Sequence, residues 1–237
     1  LHGVRRVGDG KIRHALDRET TQQVHAQLGD PRHGRECGTR PPVASGSHLA
    51  KGRTVRIARF SADGGDVRFG VVEGPGEDPA DLVVTAMEGH PFAPFALVGE
   101  PRPLAEVRLL APVLPSKVVC IGKNYADHVT EMGGAAPADP VVFLKPSTSV
   151  VGPGDAIVLP RNSERVDHEA ELGIVVGRLC REVPRARALD VVLGYTCGND
   201  VTARDHQKAD GQWTRGKGFD TFCPIGPWIE TDLDPSG

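Results

Sequence analysis

The chain divides near residue 54 by the pattern of its apolar positions. Before that point apolar side chains stand singly (Val7, Ile12, Leu16, Val24, Leu28), and a short helix over 13–28 is the most the pattern allows. From Thr54 onward apolar and polar residues alternate. Val55, Ile57 and Phe60, a turn over 62–66, and then Val67, Phe69, Val71 and Val72 predict a β-hairpin. Further short strands are predicted over 82–85, 107–110, 117–121, 141–144, 157–160 and 169–176. Helices are predicted only over 124–132 and 186–193, with one more turn near 202–208. The 20 prolines and 29 glycines, mostly between these segments, suit a β-rich fold with many turns rather than a helix bundle or a regular βαβ array.

Composition sharpens the division at residue 54. Residues 1–54 hold ten of the 28 Lys and Arg against five of the 31 Asp and Glu, five of the nine His, and none of the aromatic residues. Such a segment buries too little apolar surface to offset the entropy of ordering, so 1–54 reads as a disordered extension or leader outside the fold. The whole chain carries a net charge of −3, which gives no basic footprint for nucleic acid or for an anionic membrane. The longest apolar runs, 118–121 and 141–144, fall far short of the roughly 20 residues that span a bilayer. Five cysteines (Cys37, Cys120, Cys180, Cys197, Cys223) are widely spaced and never paired as CxxC, which argues against a disulfide framework and a structural zinc site. With no basic segment followed by an apolar stretch at the start, the expected location is the cytoplasm.

Candidate chemistry concentrates in four stretches. In Val166-Asp-His-Glu-Ala-Glu-Leu172, Glu169 and Glu171 are one residue apart ahead of an aliphatic run, and on a strand both carboxylates face the same way. Parallel carboxylates repel unless a cation lies between them, and all-oxygen ligation suits a hard divalent ion. A solvated acidic face is the alternative, and Asp167 on the same face is either a further ligand or part of that face. The polar run Asn199-Asp-Val-Thr-Ala-Arg-Asp-His-Gln207 follows an apolar segment, and its Asp200 would complete a three-carboxylate set. In Lys123-Asn-Tyr-Ala-Asp-His-Val-Thr-Glu131, His128 and Glu131 are neighbours on one helical face, where a carboxylate fixes the imidazole tautomer and makes a better base. Lys217, between two glycines, can reach a substrate carboxylate.

The order of these motifs resembles the fumarylacetoacetate hydrolase family. The resemblance runs through Cys120-Ile-Gly-Lys-Asn-Tyr-Ala-Asp-His128, Phe143-Leu-Lys-Pro146, Asp167-His-Glu-Ala-Glu-Leu172, the stretch from Gly194 to Asp205, and Gly216-Lys-Gly-Phe-Asp-Thr221. It implies an α+β, mostly β, mixed β-roll, with residues 55–115 as a small N-terminal β domain and 116–237 as the catalytic domain. It also implies one Mg²⁺ or Mn²⁺ per subunit, a homodimer, and a small-molecule substrate of the 2-oxo or β-diketo acid class. Glu169, Glu171 and Asp200 match the family's metal ligands, and His128 and Glu131 its catalytic pair on a mobile lid. Gln207 and Lys217 match groups that contact substrate or the developing oxyanion, Lys145 matches a family lysine expected to bind substrate, and Asp127 is a reserve ligand. Arg204 and Asp205 are expected to be structural, the arginine bracing the ligand segment through carboxylate pairing.

The implied reaction is metal-dependent hydrolysis of a carbon–carbon bond in an acylpyruvate-type acid, with decarboxylation or isomerisation as alternatives on the same substrate class. Family members continue past Pro227-Trp-Ile-Glu-Thr231 with further strands. A chain without them is expected to show exposed edges and an open core, and a non-catalytic family member is the reading from another class.

Overall fold

A computed structural model of the protein describes residues 55–76, 78–125 and 137–235. The extension 1–54 and the expected catalytic pair His128 and Glu131, together with Asp127, lie outside the described residues. The expected hairpin is formed by β1 (Arg56–Ala62) and β2 (Val67–Glu73), paired antiparallel from Arg56↔Val72 to Ser61↔Val67. Its turn closes with Gly65 N–H donating to Ala62 O at 2.8 Å. Asp63 and Gly64 both have positive φ, 54° and 67°, the turn geometry that matches the right-handed twist of the flanking strands.

From this hairpin the main sheet grows both ways. On one side β3 (Val83–Gly89) and then β4 (Phe95–Pro103) add antiparallel. On the other side the edge of β1 is shared between β5 (Val107–Leu110) and β13 (Cys223–Glu230), through Arg56↔Glu230 and Ile57↔Ile229. Beyond β13 lie β11 (Val192–Asn199) and β10 (Ala170–Val176), so one sheet runs from the N-terminal hairpin to the strands that carry or flank Glu169, Glu171 and Asp200. The alternation in β1 explains the packing. Ala58 and Phe60 turn to a cluster with Val72, Leu82, Val84 and Leu104. Ile57 turns the other way, to Val71, Met87, Val175 and Ile229. Ile229, with none of its surface exposed, therefore belongs to a core built from both halves of the chain.

A separate ribbon of β6 (Lys117–Gly122) and β7 (Val141–Pro146) lies off the main sheet. Lys145 is buried on one of its faces, whereas Val119, Ile121, Val142 and Leu144 are exposed on the other. A short ladder joins β9 (Val166–Asp167) to β12 (Thr202–Ala203), and β8 (Val150–Val151) pairs parallel with β13. Two short helices follow, α1 (Arg204–Asp210) and α2 (Thr214–Lys217).

Several local expectations are corrected. The 186–193 segment is a 3₁₀ turn over Arg185–Val191, and its last two residues, Val192 and Leu193, belong to β11, where the β-branched Val192 favours an extended chain. Residues 157–160 form no strand; Val158 N–H donates to the Thr221 hydroxyl at 2.8 Å instead of to a neighbouring strand. The expected turn near 202–208 splits into β12 and α1. Of the expected 124–132 helix, only Asn124 and Tyr125 are described, and neither is helical.

Candidate metal centre

Antiparallel β10 and β11 pair Ala170 with Asn199 and Glu171 with Gly198 at the ends that carry the acidic residues. Two bonds lock the flanking backbone: Asp200 N–H donates to Glu169 O at 2.8 Å, and Glu169 N–H donates to the Asn199 side-chain oxygen at 3.1 Å. Glu169 thus precedes β10 by one residue and still turns toward Glu171. Carboxylate oxygens of Glu169, Glu171 and Asp200 all lie within 4.8 Å of one another, with Asp200 buried and both glutamates partly so.

Cations and one phenol surround this set. Lys217 Nζ donates to Glu169 Oε2 at 2.7 Å, to Asp200 Oδ2, and to the Thr202 hydroxyl at 2.9 Å. Arg204 donates to Glu169 Oε1 and, at 2.9 Å, to Asp167 Oδ2, and also to the Gln207 side-chain oxygen at 3.0 Å. Asp167 is held by Arg204 and Arg165 and is not one of the converging carboxylates. Asp205 accepts from Ser163 and from Glu164 N–H. Tyr125 was not foreseen. Its hydroxyl accepts from Leu172 N–H, 47 residues away in sequence, at 3.2 Å and bonds the Glu171 carboxylate.

Lys145 requires a correction. It was expected to meet substrate, but it is 1% exposed and its ammonium donates to the carbonyls of Val201, Phe222 and Lys217 while lying 2.7 Å from Asp200 Oδ1. Its three N–H groups are spent on three backbone segments, so Lys145 fixes Asp200 and has no donor left for a ligand.

The surroundings set each carboxyl differently. Burial pushes Glu169 up, but Lys217 and Arg204 outweigh it and hold the group below the ordinary range. Asp200 is raised by burial, which Lys145 and Lys217 only partly oppose. Glu171, bonded to a neutral phenol, is pushed up to about 7, chiefly by burial. Burial also raises Cys120 to about 12 and Cys223 to about 11, which removes thiolate chemistry from both.

These residues fit a hard divalent cation. All three converging groups offer oxygen. Asp200 Oδ1 is buried and touches the Lys145 charge without an aligned hydrogen bond, which leaves a lone pair for a ligand. Glu171 carries the carboxylate least compensated by positive charge.

Residues 117–236 match the family described as Fumarylacetoacetate (FAA) hydrolase C-terminal, and residues 55–112 match Rv2993c-like, N-terminal. Protein Rv2993c of Mycobacterium tuberculosis is 56% identical over 181 residues, 76% of this chain and 68% of that protein. The chain belongs to the fumarylacetoacetate hydrolase family. Its mostly β architecture is that family's fold. A crystal structure of 2-hydroxyhepta-2,4-diene-1,7-dioate isomerase from Mycobacterium marinum has a TM-score of 0.69 and 51% identity, covering 76% of this chain and 68% of that one. The crystal structure of 5-carboxymethyl-2-hydroxymuconate delta-isomerase from Mycobacterium smegmatis has a TM-score of 0.68 and 54% identity over the same shares. The chain thus spans about two thirds of the length of each of these relatives. Among the described residues no helix is long and apolar enough to cross a membrane.

Proposed function

We propose that this chain carries the metal centre of an enzyme that cleaves or isomerises small 2-oxo or β-diketo acids. The convergence of Glu169, Glu171 and Asp200 is the observation that carries the reading. These three would hold one Mg²⁺ or Mn²⁺, with Lys145 fixing Asp200 and Arg204 fixing Glu169. When bound, such an ion supplies Lewis-acid polarisation of a 2-oxo carbonyl, which makes an enolate a tolerable leaving group.

The chain's own residues would do the rest. His128, oriented by Glu131, takes a proton from water as the water oxygen bonds to the distal carbonyl carbon. Lys217 and Gln207 hold the oxyanion that forms. The carbon–carbon bond then breaks, its electron pair stays with the 2-oxo fragment as an enolate, and that fragment is protonated. The homodimer and a cytoplasmic setting belong to the same proposal.

Isomerisation is the second reading, favoured by the names of the two mycobacterial structures. In it no carbon–carbon bond breaks: a base takes a proton from the intact acid, leaving an enolate, and a proton returned at another carbon completes the shift with no water added. The test is an assay panel of acylpyruvates, oxaloacetate and 2-hydroxyhepta-2,4-diene-1,7-dioate with Mg²⁺ or Mn²⁺, run on the chain extended to the length of its relatives. Metal-dependent turnover of one of these is expected. Turnover that persists in excess chelator would overturn the reading.

A further inference from the structure

Two lysines grip Asp200 from its two oxygens, and what else holds each of them differs. Lys145 is anchored by the carbonyls of Val201, Phe222 and Lys217, which cannot move without moving three backbone segments. Lys217 has only side-chain acceptors: Glu169, Asp200 and the Thr202 hydroxyl. Two of those three are candidate metal ligands. A divalent cation drawn to Glu169, Glu171 and Asp200 would claim the same carboxylates and place a second positive charge beside the ammonium in a poorly solvated site, where like charges repel strongly. The lysine is the more movable of the two cations because its charge sits on a flexible four-carbon stem. Aromatic faces, which accept a cation, flank the ammonium where it lies: its Nζ is 4.9 Å from the Phe143 ring centroid and 5.9 Å from that of Trp213.

We propose that the Lys217 ammonium and a divalent cation are alternative partners of the Glu169 and Asp200 carboxylates, so that metal loading releases Lys217. Lys145 stays in place in both arrangements. The exchange ties the availability of Lys217 as an anion-holding group to the presence of the ion, and so joins two roles at one site. It rests on the metal reading above.

Reductive methylation of the intact chain with formaldehyde and dimethylamine–borane, followed by peptide mass spectrometry, measures how accessible each lysine is. The experiment is run with and without saturating Mg²⁺, with ion binding followed by calorimetry in the same buffer. Modification of Lys217 should rise several-fold when the ion is bound, while buried Lys145 stays unmodified and exposed Lys117 is unchanged. If the ion binds and Lys217 is equally or better protected, the ammonium shares the site with the metal and the exchange is wrong. If no ion binds, the metal reading fails and takes the exchange with it.

Discussion

The N-terminal hairpin region and the carboxylate site are built from opposite materials within one sheet. In β1 to β3, alternate residues bury apolar side chains on the two faces of the sheet, and charges stay outside: Arg102 and Asp63 meet at 3.0 Å with about half or more of each side chain exposed. At the site the charges are inside, with Lys145, Lys217 and Asp200 all nearly buried. The first region is held by apolar area, which tolerates small errors of geometry. The second is held by a closed set of charge-assisted bonds, in which removing one member strands the others.

The largest predicted effect follows from that difference. Asp200→Ala leaves Lys145 and Lys217 without their shared carboxylate and should cost about 3–5 kcal/mol of stability in denaturant unfolding. A loss no greater than that of an average surface substitution would mean that the site is hydrated and not closed.

Next comes the seam between the regions. Ile229 packs with Ile57 and Val71 from one side and Val175 from the other, so Ile229→Ala should cost about 2–5 kcal/mol in a single cooperative transition. Two separate unfolding transitions in that variant would show that the regions are independent.

A smaller effect concerns pH. Glu171 is raised by burial to about 7 and must lose its proton to act as a ligand. Divalent-ion affinity should therefore fall as pH drops from about 8 to about 6, beyond any change at the already ionised Glu169. The sign for stability is opposite. A carboxyl whose folded value lies above its ordinary one favours the fold while protonated, and that contribution is lost as pH rises through about 7 unless a cation is bound. Affinity that is flat with pH would show that Glu171 is not a ligand. The smallest effect belongs to the exposed Arg102–Asp63 pair, where Arg102→Ala should change stability by about 0.5 kcal/mol or less.

The two regions also differ in how far the amino-acid pattern reveals them. Alternation placed β1, β2, β5, β6 and β7 within a residue or two, because each shows its buried face locally. β4 was missed because its C-terminal half carries Pro101 and Pro103, which its position at the sheet edge tolerates. β13 was missed for Pro224 and Pro227; its ladder with β11 is irregular, with Gly226 paired to Cys197 and the next pairing only at Glu230. At the site, Glu169 and Glu171 were legible because two residues of strand spacing already imply a shared face. Asp200 was legible from a polar run emerging from an apolar one. Lys145 and Tyr125 were not, since what they do depends on partners 47 to 77 residues away, which no local spacing encodes.

The central claim is that Glu169, Glu171 and Asp200 hold one divalent cation together, and isothermal titration with Mn²⁺ tests it most directly. Glu171→Ala is the informative variant, because its carboxyl bonds a neutral phenol and its loss strands no buried cation. The unaltered protein should bind one ion per chain and Glu171→Ala should lose most of that affinity, with the thermal midpoint measured in chelator little changed. Full Mn²⁺ affinity in that variant would contradict it.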